Sequence, residues 1–67
     1  MKFEELQVVK TNIDFSDRKI YSGDEGTVVA CLSVPSEAYL VEFVNDDGST
    51  KEMFVILPEH LEIAEIQ

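Results

Sequence analysis

Positive charge is scarce in this sequence. Five lysine and arginine residues stand against fourteen aspartate and glutamate residues, and the formal net charge is −9. Binding to nucleic acid or to an anionic membrane surface draws on clustered cations, whereas the cations here are scattered along the chain: Lys2, Lys10, Arg18, Lys19 and Lys51. The composition therefore favours neither nucleic acid nor membrane as a partner. It favours a basic protein partner, or an acidity that only keeps the protein soluble.

Cysteine and long apolar runs are limited too. Cys31 is the single cysteine, which excludes a disulfide framework and a thiolate metal cluster within one chain. Its apolar neighbours predict a buried strand thiol and not a reactive one. The start of the sequence, residues 1–5, lacks the apolar core of a signal peptide, and no run approaches the ~20 residues of a membrane span. We therefore expect a cytoplasmic protein.

The residues that enzymes use are few. His60 is the only histidine, it follows Pro58 on a predicted surface turn, and nothing in the sequence brings it to Cys31. The segment 45–49 lacks the alternating ligand spacing and the distal glutamate of a calcium loop. We predict no catalytic residue, no cofactor and no metal site, and hence a protein that is not an enzyme.

What the sequence does contain is a set of short β-favouring segments. At 45% hydrophobic, the 67 residues are long enough for a single domain over 1–67 with a thin margin of stability. Glycine and proline divide the chain at a few positions. The predicted strands are the run Leu6–Val9, the segment 27–32, the segment 38–44, the segment 50–57 and a short closing strand after Leu61. For this closing segment the spacing of Ile63 and Ile66 also fits a helix, and the sequence leaves the choice open.

Two turns fix the order of these strands. Asp47-Gly48 predicts a tight hairpin between the third and fourth strands, because this pair tolerates the positive φ of such a turn. Pro58–Leu61 predicts one helical turn, since proline suits the first helical position. The resulting fold class is all-β, a small SH3-like five-stranded barrel with one short helical turn before the last strand. A closed barrel would leave no exposed edge strand.

Three segments resemble a known family. The stretch Tyr21–Val29 contains Gly23-Asp24-Glu25-Gly26-Thr27-Val28, and it is followed by Ala38–Phe43 and then by Asp47-Gly48. Together they are similar to the bacterial family catalogued as domain of unknown function 4926, over nearly the whole chain. The resemblance implies an SH3-like barrel with no established catalytic residues. Proteins of this family often sit beside toxin-like open reading frames in bacteria, so the resemblance also implies an immunity role.

The long polar segment 11–25 is the main candidate for a contact surface. Its Phe15 lies between two acids and has two interpretations: it packs against the end of the barrel, or it is exposed and anchors a partner. The acids of the turns are either solvated or part of the same surface. The candidate partner-binding residues are Asp14, Phe15, Asp17, Asp24, Glu25, Asp46 and Asp47.

Two functional hypotheses follow from the charge and the resemblance. The first is an immunity or antitoxin protein that neutralises a cognate basic toxin, for example a nuclease, by direct binding. The second is an accessory or regulatory subunit that docks on a larger housekeeping complex. The sequence leaves the identity of the partner and the oligomeric state open.

Overall fold

A computed structural model describes residues 2–64, and these residues form an all-β fold. Five strands are present: β1 (Val8–Thr11), β2 (Glu25–Leu32), β3 (Ala38–Val44), β4 (Thr50–Ile56) and β5 (Leu61–Ile63). Two single 3₁₀ turns, Ser16–Arg18 and Pro58–His60, precede β2 and β5. The strands pair antiparallel in one sheet with the order β4-β3-β2-β1-β5.

The predicted class, the strand number and the helical turn before the last strand are confirmed. β3 begins and ends at the predicted residues. The first strand, in contrast, starts at Val8 and not at Leu6 as predicted. Leu6 has a positive φ of 70°, and Gln7 donates its N–H to the carbonyl of Glu4, so residues 4–7 form a turn. The β-favouring run 6–9 therefore divides between a turn and a strand. The predicted closing strand is present as β5, which ends at Ile63, and residues 65–67 of the same segment lie outside the described residues.

The sheet curls around one core, as in an SH3-like barrel. All five strands contribute buried side chains to a single cluster, which Phe3 and Ile20 complete: Phe3, Val9, Ile20, Val28, Tyr39, Val41, Phe43, Phe54, Ile56 and Leu61. The side chains of β3 alternate between the two sides of the sheet, and Tyr39, Val41 and Phe43 point inward. The predicted loss of edge strands is wrong, however. Within residues 2–64, β4 and β5 do not pair with each other and remain the edges of the sheet.

β3 lies so close to Gly26 of β2 that no side chain fits between them. A Cβ atom at this position would lie 2.7 Å from Val41 Cγ1 and 2.9 Å from the carbonyl oxygen of Glu42, so the glycine is required by packing. Further along, the register shifts between Val28 and Ala30. Such a bulge increases the local twist and helps a short sheet to curl.

The β3–β4 hairpin turns at 45–49 as predicted. Gly48 donates its N–H to the carbonyl of Asn45 over 2.9 Å and has a φ of +88°. Asn45 in turn donates to the carbonyl of Ser49 over 2.8 Å. Only glycine adopts this φ without a steric cost, which explains why the Asp-Gly pair marks the turn so clearly.

The chain before β1 is fixed to the start of β3 by a buried hydroxyl. Phe3 packs its ring edge-on against Tyr39 with centroids 5.2 Å apart, and its N–H donates to Tyr39 Oη over 3.1 Å. The hydroxyl donates in turn to the carboxylate of Glu37, which also accepts the N–H of Lys2 at 2.9 Å. The hydrogen bond from Tyr39 lowers the pKa of Glu37, and burial, followed by this carboxylate, raises the pKa of Tyr39.

Cys31 lies beside the same segment. Its Sγ is 3.6 Å from the carbonyl oxygen of Phe3, and the residue is half-buried. The sequence predicted a buried strand thiol. The position on a strand is confirmed, but the burial is partial because Cys31 packs at the margin of the core.

Substitution of Tyr39 by Phe tests the role of the buried hydroxyl. We expect a loss of about 1–2 kcal/mol in the free energy of unfolding, because the N–H of Phe3 loses its buried acceptor. Urea unfolding at neutral pH measures the loss. Tyr21→Phe is the matched control, since Tyr21 is exposed and its hydroxyl forms no hydrogen bond within residues 2–64.

The same variant has an expected pH dependence. The pKa of Glu37 is lower in the folded protein than its ordinary value of 4.5, so its stabilising contribution is complete above that value and disappears as the pH falls through the lowered pKa. The stability difference between the wild type and Tyr39→Phe should therefore shrink in acid. Equal effects of the Tyr39 and Tyr21 substitutions would contradict the proposed role of the hydroxyl.

Candidate partner-binding surface

The long segment before β2 folds into a compact loop of its own. Phe15 and Ile20 form an antiparallel bridge, with the two N–H groups donating over 2.7 Å and 3.3 Å to the opposite carbonyls. The 3₁₀ turn Ser16–Arg18 closes the bridge, and Lys19 follows in the left-handed region. Ile20 is buried in the core, so the loop is tied to the barrel at its base.

Phe15 is half-buried and packs against the end of the barrel. Its ring meets Phe54 edge-on at 5.1 Å between centroids and His60 at 6.3 Å. The ring thus adds to the core cluster. Of the two interpretations that the sequence left open for Phe15, the structure displays the packed one.

A cation covers this aromatic cluster from the solvent side. The guanidinium carbon of Arg18 lies 4.3 Å from the centroid of Phe54, and its Nη1 is 3.0 Å from Glu52 Oε1. Nearby, Lys51 donates its Nζ–H to the carbonyl of Lys19 over 2.9 Å. Sequence reasoning missed these contacts because they join residues more than thirty positions apart. The alternation of β4 would place Glu52 and Phe54 on one face, but it does not indicate which loop cation reaches them.

Some of the candidate acids hold turns. Asp14 Oδ1 accepts the N–H of Ser22 at 2.8 Å, and Asp24 Oδ2 accepts the N–H of Tyr21 at 2.8 Å. Both carboxylates therefore stabilise the same turn, just before β2.

Asp47 has the corresponding role in the β3–β4 hairpin. Its Oδ1 accepts the hydroxyl of Ser49 at 2.6 Å and the N–H of Ser49 at 2.9 Å. These two hydrogen bonds, the one from the hydroxyl first, lower the pKa of Asp47.

The remaining candidate acids have no such role. Asp17 lies in the first 3₁₀ turn, Glu25 begins β2 and Asp46 lies in the hairpin. All three are exposed, and their carboxylates form no hydrogen bond within residues 2–64. We call these three residues the free acids. A partner can therefore pair with their charges without breaking a hydrogen bond that stabilises a turn.

A shallow depression lies between the end of the loop and the base of the hairpin. Its volume is 230 Å³, and its lining combines apolar side chains with both charges: Ile20, Asp24, Glu25, Phe43, Val44 and Lys51. A second depression of 170 Å³ shares Glu25 and Val44 with the first one and is also lined by Glu42. In the second depression apolar side chains lie beside the carboxylates of Glu25 and Glu42, which suits the stem and the charged head of a lysine or arginine side chain.

The fold brings together only part of the predicted surface. Asp24 and Glu25 meet the base of the hairpin that carries Asp46 and Asp47, and Asp14 is linked to the same region through its bond to Ser22. Asp17 lies beside Arg18, where the loop covers β4.

The described residues offer little else for chemistry. Within residues 2–64, no three His, Cys, Asp or Glu side chains come close enough together to hold a metal ion. His60 packs beside Phe15, whereas Cys31 faces the carbonyl of Phe3. No described helix has the length and apolar character needed to cross a membrane.

The curled five-stranded sheet and its acidic loop and hairpin place the chain in the class of small SH3-like β proteins. More specifically, the chain belongs to the family catalogued as domain of unknown function DUF4926, which matches residues 5–63. This confirms the resemblance seen in the sequence. Neither a curated protein nor a solved structure matches the chain.

Truncation of Phe15 to Ala tests the packing of the loop. We expect a loss of about 2–3 kcal/mol in the free energy of unfolding, since a ring that is half-buried against Phe54 leaves a gap. Chemical denaturation measures the loss. Val34→Ala is the control, because Val34 is 85% exposed in another loop and should lose less than about 0.5 kcal/mol. Similar losses in the two variants would show that Phe15 does not pack as described.

Asp46 and Asp47 are neighbours in the hairpin, and they test whether one carboxylate stabilises a turn while the other does not. Asp47→Ala should lower the thermal midpoint by a few degrees, whereas Asp46→Ala should leave it unchanged. Thermal unfolding at neutral pH checks both. Because the pKa of Asp47 is lowered in the folded protein, the difference should be complete above its ordinary value of 3.8 and disappear as the pH falls through the lowered pKa. Equal midpoints at neutral pH would contradict this difference in role.

Proposed function

We propose that this protein is a small acidic protein-binding module that acts as an immunity protein and neutralises a cognate basic toxin by direct contact. The observation that supports the proposal is that two of the few cations are engaged within the chain, whereas the free acids are exposed. The net charge is −9, and the cations Arg18 and Lys51 contact groups of their own chain. The free acids, in contrast, face solvent. Such a surface attracts a basic protein and repels nucleic acid.

The contact would combine steering with local recognition. A toxin that acts on a polyanion, such as a nuclease, presents a basic cleft, and an acidic barrel covers that cleft in place of the substrate. The depression beside Glu25 and Glu42 would receive a lysine or arginine side chain. Long-range attraction makes association fast and sensitive to salt. A cytoplasmic inhibitor of this kind acts by binding alone and does not need to catalyse a reaction.

A tagged pull-down from the native cell tests the proposal. At low salt we expect one basic, toxin-like protein that elutes when the salt is raised, and co-expression of the present chain should protect cells from it. Recovery of a large housekeeping assembly that stays bound at high salt would contradict the immunity role. The protein would then be an accessory subunit, which is the alternative function.

Charge reversal of the free acids locates the contact. With the purified partner, Asp17→Lys, Glu25→Lys and Asp46→Lys should each slow association several-fold at low salt, and the effect should fade at high salt. Stopped-flow mixing measures the rates. Glu5→Lys is the control, because it changes the net charge equally at an exposed position outside the loop and the hairpin. If Glu5→Lys slows association as much, only net charge matters and these acids form no specific surface.

A further inference from the structure

The side of the barrel under the loop carries a binding site for a cation, and the chain fills this site with its own arginine. The guanidinium carbon of Arg18 lies 4.3 Å from the centroid of the Phe54 ring, and Nη1 donates to Glu52 Oε1 over 3.0 Å. A guanidinium group is suited to both contacts, because it stacks on an aromatic ring and directs its N–H groups at a carboxylate. We call Phe54 and Glu52 the cation site.

The two residues of the cation site are held in place by the barrel itself. Phe43 stacks on the Phe54 ring at 5.7 Å between centroids, and Phe15 meets the same ring edge-on at 5.1 Å. Glu52 and Phe54 both belong to β4, and the pairing of β4 with β3 fixes their spacing. The site is therefore preformed, and a ligand that enters it does not have to order it first.

Arg18 can leave the cation site while the loop stays in place. The backbone bridge between Phe15 and Ile20 ties the loop to the barrel, because Ile20 is 1% exposed and lies in the core. The side chain of Arg18, in contrast, is 43% exposed, and within residues 2–64 its only hydrogen bond is the one to Glu52. Exchange of Arg18 for another cation therefore breaks an exposed contact and leaves the backbone of the loop intact.

We propose that the cation site binds an arginine side chain of the basic partner, and that Arg18 is an internal competitor which this arginine displaces. The proposal rests on the proposed function and deepens it, because it names the side chain by which a basic protein is recognised. Arg18 itself identifies the ligand as a planar guanidinium and not as the ammonium of a lysine. Charge favours the approach of the partner, since Asp17 precedes Arg18 in the same turn and is one of the free acids.

Competition by Arg18 makes the site selective. An external arginine finds the site open only in those molecules whose Arg18 points to solvent, so the apparent dissociation constant rises by the inverse of that fraction. The contacts of an exposed guanidinium with a ring and a carboxylate are individually weak, which corresponds to an open fraction of about a tenth to a third. A protein that offers a single arginine and no other contact is therefore disfavoured, whereas a partner that also reaches the free acids is retained.

Titration of the full chain with ethylguanidinium, followed by the NMR signals of Glu52 and Phe54, tests the site without the partner. Ethylguanidinium has the head group of arginine, and n-butylammonium has that of lysine. We expect Arg18→Ala to bind ethylguanidinium about three- to ten-fold more tightly than the wild type does, and more tightly than it binds n-butylammonium. Lys19→Asn is the matched control, since it removes the same charge from the adjacent exposed position, and asparagine tolerates the φ of 57° there.

A second substitution, Glu52→Gln in the Arg18→Ala background, removes the carboxylate and should abolish the gain. Circular dichroism establishes the folding of each variant, and Arg18→Ser provides a second open site if Arg18→Ala fails to fold. No gain in an open variant would overturn the proposal and leave Arg18 with a structural role alone. An equal gain in Lys19→Asn, or equal binding of the two cations by Arg18→Ala, would also overturn it, because net charge alone would then explain the binding.

The same variants test the contact with the purified partner. Arg18→Ala should bind the partner several-fold more tightly than the wild type, and the additional substitution Glu52→Gln should reverse this gain. A partner with equal affinity for the wild type and Arg18→Ala would overturn the assignment of its arginine to the cation site. A pull-down without a basic, toxin-like protein would refute the immunity role, whereas a missing gain with ethylguanidinium would refute the cation site, so the two failures are distinguishable.

Discussion

The ring of Phe54 joins the loop to the sheet, and the arrangement of the acidic surface depends on it. Phe54 stacks on Phe43 within the sheet at 5.7 Å, meets Phe15 of the loop edge-on and lies under the guanidinium of Arg18. Aromatic pairs of this geometry add to the free energy of burial. With the loop held at this point, the bridge between Phe15 and Ile20 fixes the turn that follows. The carboxylates before β2 then take defined positions.

Acidic residues serve two purposes in this small fold. A net charge of −9 opposes compaction, since like charges repel. Asp14, Asp24 and Asp47 offset part of that repulsion, because each accepts a hydrogen bond from a backbone amide in a turn. The carboxylates that remain free keep their full attraction for an external cation. Some acidic residues thus stabilise the fold, and other acidic residues are available for recognition of a partner.

The sequence predicted the local features of the fold well and the distant contacts poorly. The bounds of β3, the hairpin at Gly48 and the turn at Pro58 follow from alternation and backbone preference within a few residues, and all were confirmed. The predicted start of β1 was wrong, because the hydrophobic pattern of the sequence does not reveal that Leu6 has a positive φ. The contact of Arg18 with Phe54 and the bond of Tyr39 to Phe3 join distant positions, so no local pattern could reveal them. For the candidate site, the sequence identified the acids but not which of them hold turns.

The close approach of β2 and β3 at Gly26 has a consequence for how proteins of this kind diversify. The backbone tolerates no side chain at that point, because Val41 and Glu42 already fill the space. The next residue toward the loop, Glu25, is exposed, and its carboxylate forms no hydrogen bond within residues 2–64. A rigid position therefore adjoins one that is free to vary. A lineage could exchange one partner for another by altering such surface positions while the barrel beneath them stays constant, which separates the evolution of specificity from the evolution of the fold.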